Sequence, residues 1–123
     1  MILAIAVGLA GGIGSVLRYV VDGAVQDRVS GAFPCGTLTI NVAGSFVLGI
    51  LTGLLWYHGV SDRWHDVVGV GFCGGLTTWS TASWETVRLV DGRLYRLAFV
   101  YTLGGLALAI AAAIAGIALA SAI

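Results

Sequence analysis

Residues 71–85 read GFCGGLTTWSTASWE, which places two adjacent glycines and five hydroxyl side chains in the middle of an otherwise apolar chain. Gly74 and Gly75, followed by two threonines, weaken a helix at its centre. Backbone that lacks helical hydrogen bonds is tolerated inside a bilayer only where it is buried in protein or lines a cavity. Discontinuous helices of this kind hold ions in many channels and transporters. The stretch predicts a broken helix, and the alternative is a packing face of small residues without a break.

The composition of the whole chain is that of a membrane protein. Of 123 residues, 59% are hydrophobic and only 10% are charged, and the mean hydropathy is +1.00. Soluble domains carry about 25% charged residues, and about 20 apolar helical residues cross a bilayer. We therefore predict a single transmembrane domain covering residues 1–123, without a separate soluble domain. Its four spans lie at about 2–21, 36–57, 67–90 and 97–120.

The spans predict an all-α fold, because no segment has the alternating pattern of a barrel strand. Glycine, alanine and serine cluster inside the spans, and small residues of this kind bring helices close together in lipid. Since four short helices carry more small-residue faces than one chain can use, we predict an oligomer, most simply a dimer.

Several classes of function are excluded by what the chain lacks. The formal net charge is zero and there is no lysine, so nothing supports nucleic-acid binding. Two isolated cysteines, Cys35 and Cys73, and two isolated histidines, His58 and His65, form no metal-site or redox motif. We expect a protein that is not an enzyme and whose function lies within the membrane.

The arginines predict an orientation. The first and third loops hold four of them, Arg28, Arg88, Arg93 and Arg96, whereas the second loop holds only Arg63. Because basic residues concentrate in cytoplasmic loops, we predict that loops one and three are cytoplasmic and that both termini face outward.

Three polar features inside the spans each allow a structural and a functional interpretation. Arg18 either snorkels to the interface near Asp22 or faces a vestibule that attracts anions. Asn41 either bonds neighbouring helices or offers its amide hydrogens to an anion. Glu85 and Arg88, three residues apart on a helix, either form an ion pair or belong to an ion path.

Taken together, these motifs resemble the Fluc-type fluoride channels of the CrcB family. The resemblance rests on GGIGSVLRY (11–19), GTLTINVAGSFVLGIL (36–51) and the opening stretch, in that order and at that spacing. It implies passive export of fluoride from the cytoplasm across the plasma membrane of a microbe. It also implies an antiparallel dimer of two four-helix chains, with a buried structural sodium ion at its centre and two fluoride pathways beside it.

The resemblance also assigns roles to individual residues. The main-chain carbonyls of Gly74 and Thr77 would bind the sodium ion, Asn41 would donate to fluoride, and Arg18 would lie at a vestibule. The remaining positions that match the fluoride pathway of the family are Trp79, Ser80, Thr81, Glu85 and Tyr101.

The chain departs from the family pattern in ways that bear on its partner. The usual TTFSTFS reads TTWSTAS here, so Trp79 and Ala82 replace two phenylalanines, and Gly105 and Ala109 replace serines of the fourth helix. An antiparallel homodimer also needs balanced loop charge, whereas these arginines are biased. We therefore predict a heterodimer with a homologous subunit, with a self-sufficient homodimer and a non-conducting structural subunit as alternatives.

A further alternative is a small multidrug exporter, which has a similar length and span count. That chemistry needs a carboxylate in the first span. No Asp or Glu occurs between Met1 and Val21, so the sequence disfavours this class.

Overall fold

The computed structural model describes all 123 residues, Met1 to Ile123, and it contains helices and no strands, as the composition predicts. Two long helices come first, α1 (Ile2–Gln26) and α2 (Cys35–His58). The shorter elements that follow are α3 (Asp62–Trp64), the π-helix π1 (His65–Cys73), α4 (Gly74–Leu76), α5 (Trp79–Asp91), α6 (Tyr95–Phe99), the π-helix π2 (Val100–Gly104) and α7 (Gly105–Ser121). We refer to α3 through α5 as the third span and to α6 through α7 as the fourth span.

Three continuous helices are long and apolar enough to cross a membrane: α1, α2 and the fourth span, with 25, 24 and 27 residues. The third span runs from Asp62 to Asp91 but is divided, so neither of its halves crosses alone. Two boundaries differ from those expected from hydropathy. Helix α1 continues beyond Val21 to Gln26, and the third span begins at Asp62 rather than near residue 67, because helical hydrogen bonding continues into the polar residues at the membrane surface.

Local sequence explains how α2 begins and ends. Pro34 precedes its first residue, a position where the missing N–H of proline removes no helical hydrogen bond. Gly59 ends the helix in the left-handed conformation, with φ 64° and ψ 28°. Glycine adopts this conformation without a Cβ clash and is therefore the usual residue after a helix C-terminus.

Glycines bring the helices into direct backbone contact. Helix α1 packs on the first half of the third span, and α2 packs along α7. A Cβ atom at Gly75 would overlap the carbonyl oxygen of Gly11, and one at Gly116 would overlap the carbonyl oxygen of Phe46. These close approaches confirm the expectation that small residues mediate helix packing in this chain.

The third span is interrupted between α4 and α5. Thr77 has φ −77° and ψ 158°, and Thr78 has φ −151° and ψ 127°, so both residues are extended rather than helical. Gly74 and Gly75, where the sequence locates the weakness, are helical. The interruption is therefore two residues long and lies just beyond the glycine pair.

The second half of the third span, α5, has few neighbours within the chain. It touches α6, π2 and α2 only sparsely, whereas α1 and α2 each pack extensively. Only 18 of the 123 residues are buried, so most of the apolar surface faces outward. The one buried apolar cluster, Leu89 with Ala98 and Tyr101, is where α5 meets the fourth span.

Candidate functional site

The interruption in the third span is held open by Asn41 of α2. Its Nδ2 donates to the carbonyl oxygen of Thr78 at 3.0 Å, and its Oδ1 accepts from the N–H of Thr78 at 2.8 Å. The amide side chain thus bonds both backbone groups of one residue, as a neighbouring peptide would. Of the two interpretations of Asn41, the structure shows the bond between helices. The amide keeps a second hydrogen that this contact does not use.

The side chain of Thr78 starts the next helix. Its Oγ1 accepts from the N–H of Thr81 at 3.2 Å and donates to the Thr81 hydroxyl at 3.0 Å. The Ser80 hydroxyl lies 3.3 Å from Thr78 Oγ1. Thr78 is therefore the N-cap of α5, and the predicted pathway residues Ser80 and Thr81 belong to this cap.

The interruption leaves the carbonyl oxygens of residues 74–77 without their helical partners, and two of these carbonyls, those of Gly74 and Thr77, are the ones that the sequence assigns to a cation. In a continuous helix the N–H of Thr78 would bond the carbonyl of Gly74, and the N–H of Thr81 would bond that of Thr77. Here the first donates to Asn41 and the second to the Thr78 hydroxyl. Gly74 is also exposed, with no atom within 4 Å of where its Cβ would be, and it lines the groove described below.

Helix α1 supplies donors to the same segment. The Ser15 hydroxyl donates to the carbonyl of Gly75 at 3.3 Å, and Arg18 Nη1 donates to the carbonyl of Thr77 at 3.2 Å. Arg18 therefore neither snorkels away from the protein nor pairs with Asp22. Its positive charge lies against one of the carbonyls freed by the interruption.

Main-chain carbonyls are the cation ligands that the sequence predicts at this site. No group of three or more His, Cys, Asp or Glu side chains lies close enough to hold a metal ion. Neutral main-chain oxygens suit a hard monovalent cation, and the free carbonyl of Gly74 fits this chemistry. The carbonyl of Thr77 fits it only in part, because the Arg18 guanidinium already bonds this oxygen.

Glu85 is bound by two hydroxyl groups. Thr37 donates to its Oε1 at 3.0 Å, and Tyr101 donates to its Oε2 at 2.6 Å. The predicted ion pair with Arg88 is wrong, because both carboxylate oxygens are engaged by hydroxyls and Arg88 points outward. The ring of Phe33 packs edge-on against Tyr101 with a centroid distance of 5.6 Å, which fixes the tyrosine in place.

A groove of about 560 Å³ runs along α2, α5 and the fourth span and passes the interruption. Five of the predicted site residues line it, namely Asn41, Gly74, Thr77, Trp79 and Tyr101. All four positions that depart from the family pattern line it as well, since Ala82, Gly105 and Ala109 join Trp79 there. Arg18, Ser80, Thr81 and Glu85 do not line the groove. Trp79 is 76% exposed, and its ring contributes to the outer edge.

Sequence analysis missed the threonines that organise this region. Thr37 is fully buried against Glu85, and Thr78 caps α5 and bonds Asn41. Thr86 and Thr102 line the groove and contact each other at 2.9 Å. For Thr78 a signal was present, since a threonine three residues before another polar residue is typical of a helix N-cap. The other three positions show no local pattern that separates them from packing threonines.

Comparison with known proteins identifies the relatives of this chain. A family model described as "CrcB-like protein, Camphor Resistance (CrcB)" matches residues 5–117. The chain is 48% identical over 112 residues to "Fluoride-specific ion channel FluC 1" of Leifsonia xyli subsp. xyli, covering 91% of this chain and 82% of the relative.

Two further relatives have matching lengths. "Fluoride-specific ion channel FluC 2" of Cutibacterium acnes is 44% identical over 114 residues, covering 92% of this chain and 93% of the relative. "Fluoride-specific ion channel FluC" of Thermococcus kodakarensis is 40% identical over 119 residues, covering 96% and 95% of the two chains. The similarity thus includes all four spans.

Proposed function

The chain belongs to the CrcB family, and from this membership we propose that it is a subunit of a passive, fluoride-selective channel that exports fluoride from a microbial cytoplasm. The relatives named above are fluoride-specific ion channels, and ion channels are not enzymes, as the sequence predicts. The family match leaves the small multidrug exporter without support. A multi-pass location in the plasma membrane agrees with the apolar helices.

The observation that carries this proposal is the interruption at Thr77 and Thr78 beside an open groove. Asn41 bonds the carbonyl and the N–H of Thr78, and the carbonyl of Gly74 is thereby left without its helical partner. Unpaired backbone is costly inside a bilayer unless it is buried in protein or serves an ion. A packing face would need no such exposed carbonyl, so the geometry favours an ion site.

We propose that two inverted copies, or this chain and a homologous subunit, meet at this surface around a structural sodium ion. The sequence assigns two carbonyls of one chain to the ion, those of Gly74 and Thr77, and a cation of this kind binds several oxygens, so a second subunit would supply further ligands. When bound, the ion would provide a positive charge that offsets the carbonyl dipoles. Arg18 would have to move away from the carbonyl of Thr77 or share it with the ion.

Fluoride would then move along the groove past neutral donors. A small, strongly hydrated anion needs hydrogen-bond donors in place of its water, but donors that bind too tightly prevent it from leaving. Asn41 has one amide hydrogen left for the ion, and Trp79 offers an aromatic edge. Tyr101 and Glu85 are committed to each other, so their role would be to shape the groove wall. Arg18, whose guanidinium lies at the carbonyl of Thr77, would attract the anion.

A heterodimer agrees best with the sequence and the groove. The four-to-one distribution of loop arginines favours one direction of insertion, and an antiparallel partner would need the opposite bias. Ala82 and Gly105 also leave the groove wall without the groups that relatives place there. The missing groups at Ala82 and Gly105 also support a second candidate, a structural subunit that completes the dimer while the partner's pathway conducts.

Fluoride efflux from liposomes tests the proposed function. The purified chain is reconstituted alone and with a co-expressed homologous subunit, and external fluoride is followed with an electrode. We expect efflux only from the mixed preparation. Efflux from the chain alone would contradict both the need for a second subunit and the structural role, and no efflux from either preparation would contradict conduction.

A further inference from the structure

We propose that Thr86 of α5 and Thr102 of π2 form an additional fluoride contact, a pair of hydroxyls on this chain's own groove wall. The inference rests on the proposed conduction of fluoride and assigns two ion-contacting residues that sequence analysis did not identify. Thr86 lies one helical turn after Ala82, and Thr102 lies three residues before Gly105. The pair is therefore next to two of the positions that lack a polar side chain.

Both threonines are open to the groove. Thr102 is exposed, Thr86 is half-buried, and both line the cavity that passes Asn41. Thr102 also lies in a π-helical segment, Val100–Gly104, and π-helical turns within longer helices are frequent at functional sites.

The two hydroxyls have more acceptors than protons. Thr86 Oγ1 lies 2.9 Å from the carbonyl oxygen of Ala82, and Thr102 Oγ1 lies 2.8 Å from that of Ala98. The two hydroxyl oxygens are 2.9 Å apart. Three contacts therefore share two protons, so one contact always lacks a proton, and each hydroxyl hydrogen can rotate between alternatives.

Such a pair of hydroxyls is suited to an anion that binds briefly and is then released, as fluoride must be in a channel. A helical carbonyl already accepts from a backbone N–H, so it is not left without a partner when a threonine hydroxyl turns toward the groove. Each hydroxyl is neutral, and a single hydrogen bond of this type contributes little net free energy. Two of them would replace part of the hydration of fluoride without trapping it.

The competing explanation is that the pair only ties α5 to the fourth span. Helix α5 has few other contacts, so this explanation is reasonable, and the experiment must separate the two. Valine has the shape of threonine without its hydroxyl, and serine keeps the hydroxyl. The variants Thr86→Val, Thr102→Val, the double variant and the two serine variants are compared in whichever liposome preparation of the wild type conducts.

If both hydroxyls contact fluoride, each valine variant lowers efflux about tenfold, and the double variant lowers it further than either single variant but less than about a hundredfold, because the two side chains touch and their effects are coupled. The serine variants retain efflux.

Thr39→Val is the matched control, because the Thr39 hydroxyl also donates to a carbonyl four residues earlier, at 2.8 Å, but lies outside the groove. The Thr39→Val variant is expected to leave fluoride efflux unchanged.

Two results would overturn the inference while leaving the channel function intact. One is unchanged efflux in the double variant. The other is a double variant no slower than either single one, because breaking either end of a purely structural bridge removes the whole bridge. Gel filtration of each variant checks that assembly is preserved. Absence of wild-type efflux in both preparations would overturn the proposed function, and this inference with it.

Discussion

At the scale of single residues, the decisive contact is that of Asn41 with Thr78. The amide replaces a peptide group, since it donates and accepts at the same residue at 3.0 and 2.8 Å. This contact diverts the N–H of Thr78 from the carbonyl of Gly74. One side chain on α2 therefore determines where the third span is interrupted, and it also decides which carbonyl becomes free.

Asn41→Asp tests this role. A carboxylate can still accept from the N–H of Thr78, but it cannot donate to the carbonyl and faces that oxygen with a negative charge. We expect fluoride efflux to fall to background in liposomes. Asn41→Ala removes both hydrogen bonds without adding a charge and should lower the free energy of unfolding by about 2 kcal/mol, at about 1 kcal/mol per bond.

Thermal unfolding in detergent measures the alanine variant, and gel filtration shows whether each variant still assembles. Wild-type efflux from Asn41→Asp would show that the amide neither holds the interruption nor lies on the ion path.

The residue scale is also where sequence analysis failed most clearly. It predicted a break over residues 74–78, with Asn41, Gly74 and Thr77 as site positions, but counted the glycine pair as part of the break because glycine has poor helix propensity. The glycines are helical, and Thr78 is extended because a side chain from another helix competes for its backbone. Long-range competition of this kind leaves no mark in the local sequence.

At the scale of elements, the glycine faces determine which helices touch. Helix α1 approaches the third span so closely that Gly75 meets the backbone of Gly11, and this approach brings Ser15 and Arg18 to the carbonyls of the interruption. Composition alone predicted an all-helical chain packed through small residues. It could not predict which faces pair, because glycines occur on several sides of each helix.

Gly75→Ala is expected to destabilise the chain, and Gly8→Ala is its matched control on α1. A Cβ at Gly75 would overlap the carbonyl of Gly11, whereas no atom lies within 4 Å of the corresponding position at Gly8. Overpacking costs about 1–3 kcal/mol, so Gly75→Ala should unfold at a lower temperature while Gly8→Ala matches the wild type. Equal unfolding temperatures for the two variants would contradict the packing of α1 on the third span.

At the scale of the whole molecule, the chain has little interior of its own. Only 18 of 123 residues are buried, and α5 projects from the rest with Trp79 and Trp84 exposed on its surface. Lipid covers apolar side chains, but its hydrocarbon offers no hydrogen-bond donor to the unpaired carbonyl of Gly74. The surface around the interruption therefore needs a protein partner more than any other part of the chain does.

The orientation of the chain gives a prediction at this scale. With four arginines in loops one and three and one in loop two, a periplasmic reporter fused after Ile123 should be active and a cytoplasmic one silent. Replacing Arg88 and Arg93 with glutamine should produce both orientations, whereas replacing Arg63 should strengthen the original one. A wild-type C-terminus in the cytoplasm would contradict the predicted topology and the charge argument for a second subunit.

The three side chains from other helices that bond the interruption all belong to helices earlier in the chain. Ser15 and Arg18 belong to the first helix and Asn41 to the second, so the ribosome has made all three before Thr77 and Thr78 are translated. The helix with exposed peptide groups thus enters the bilayer last among its partners and finds their donors already in place. Because of this order of synthesis, the unpaired backbone groups of Thr77 and Thr78 need not enter the hydrocarbon before their hydrogen-bond partners are present.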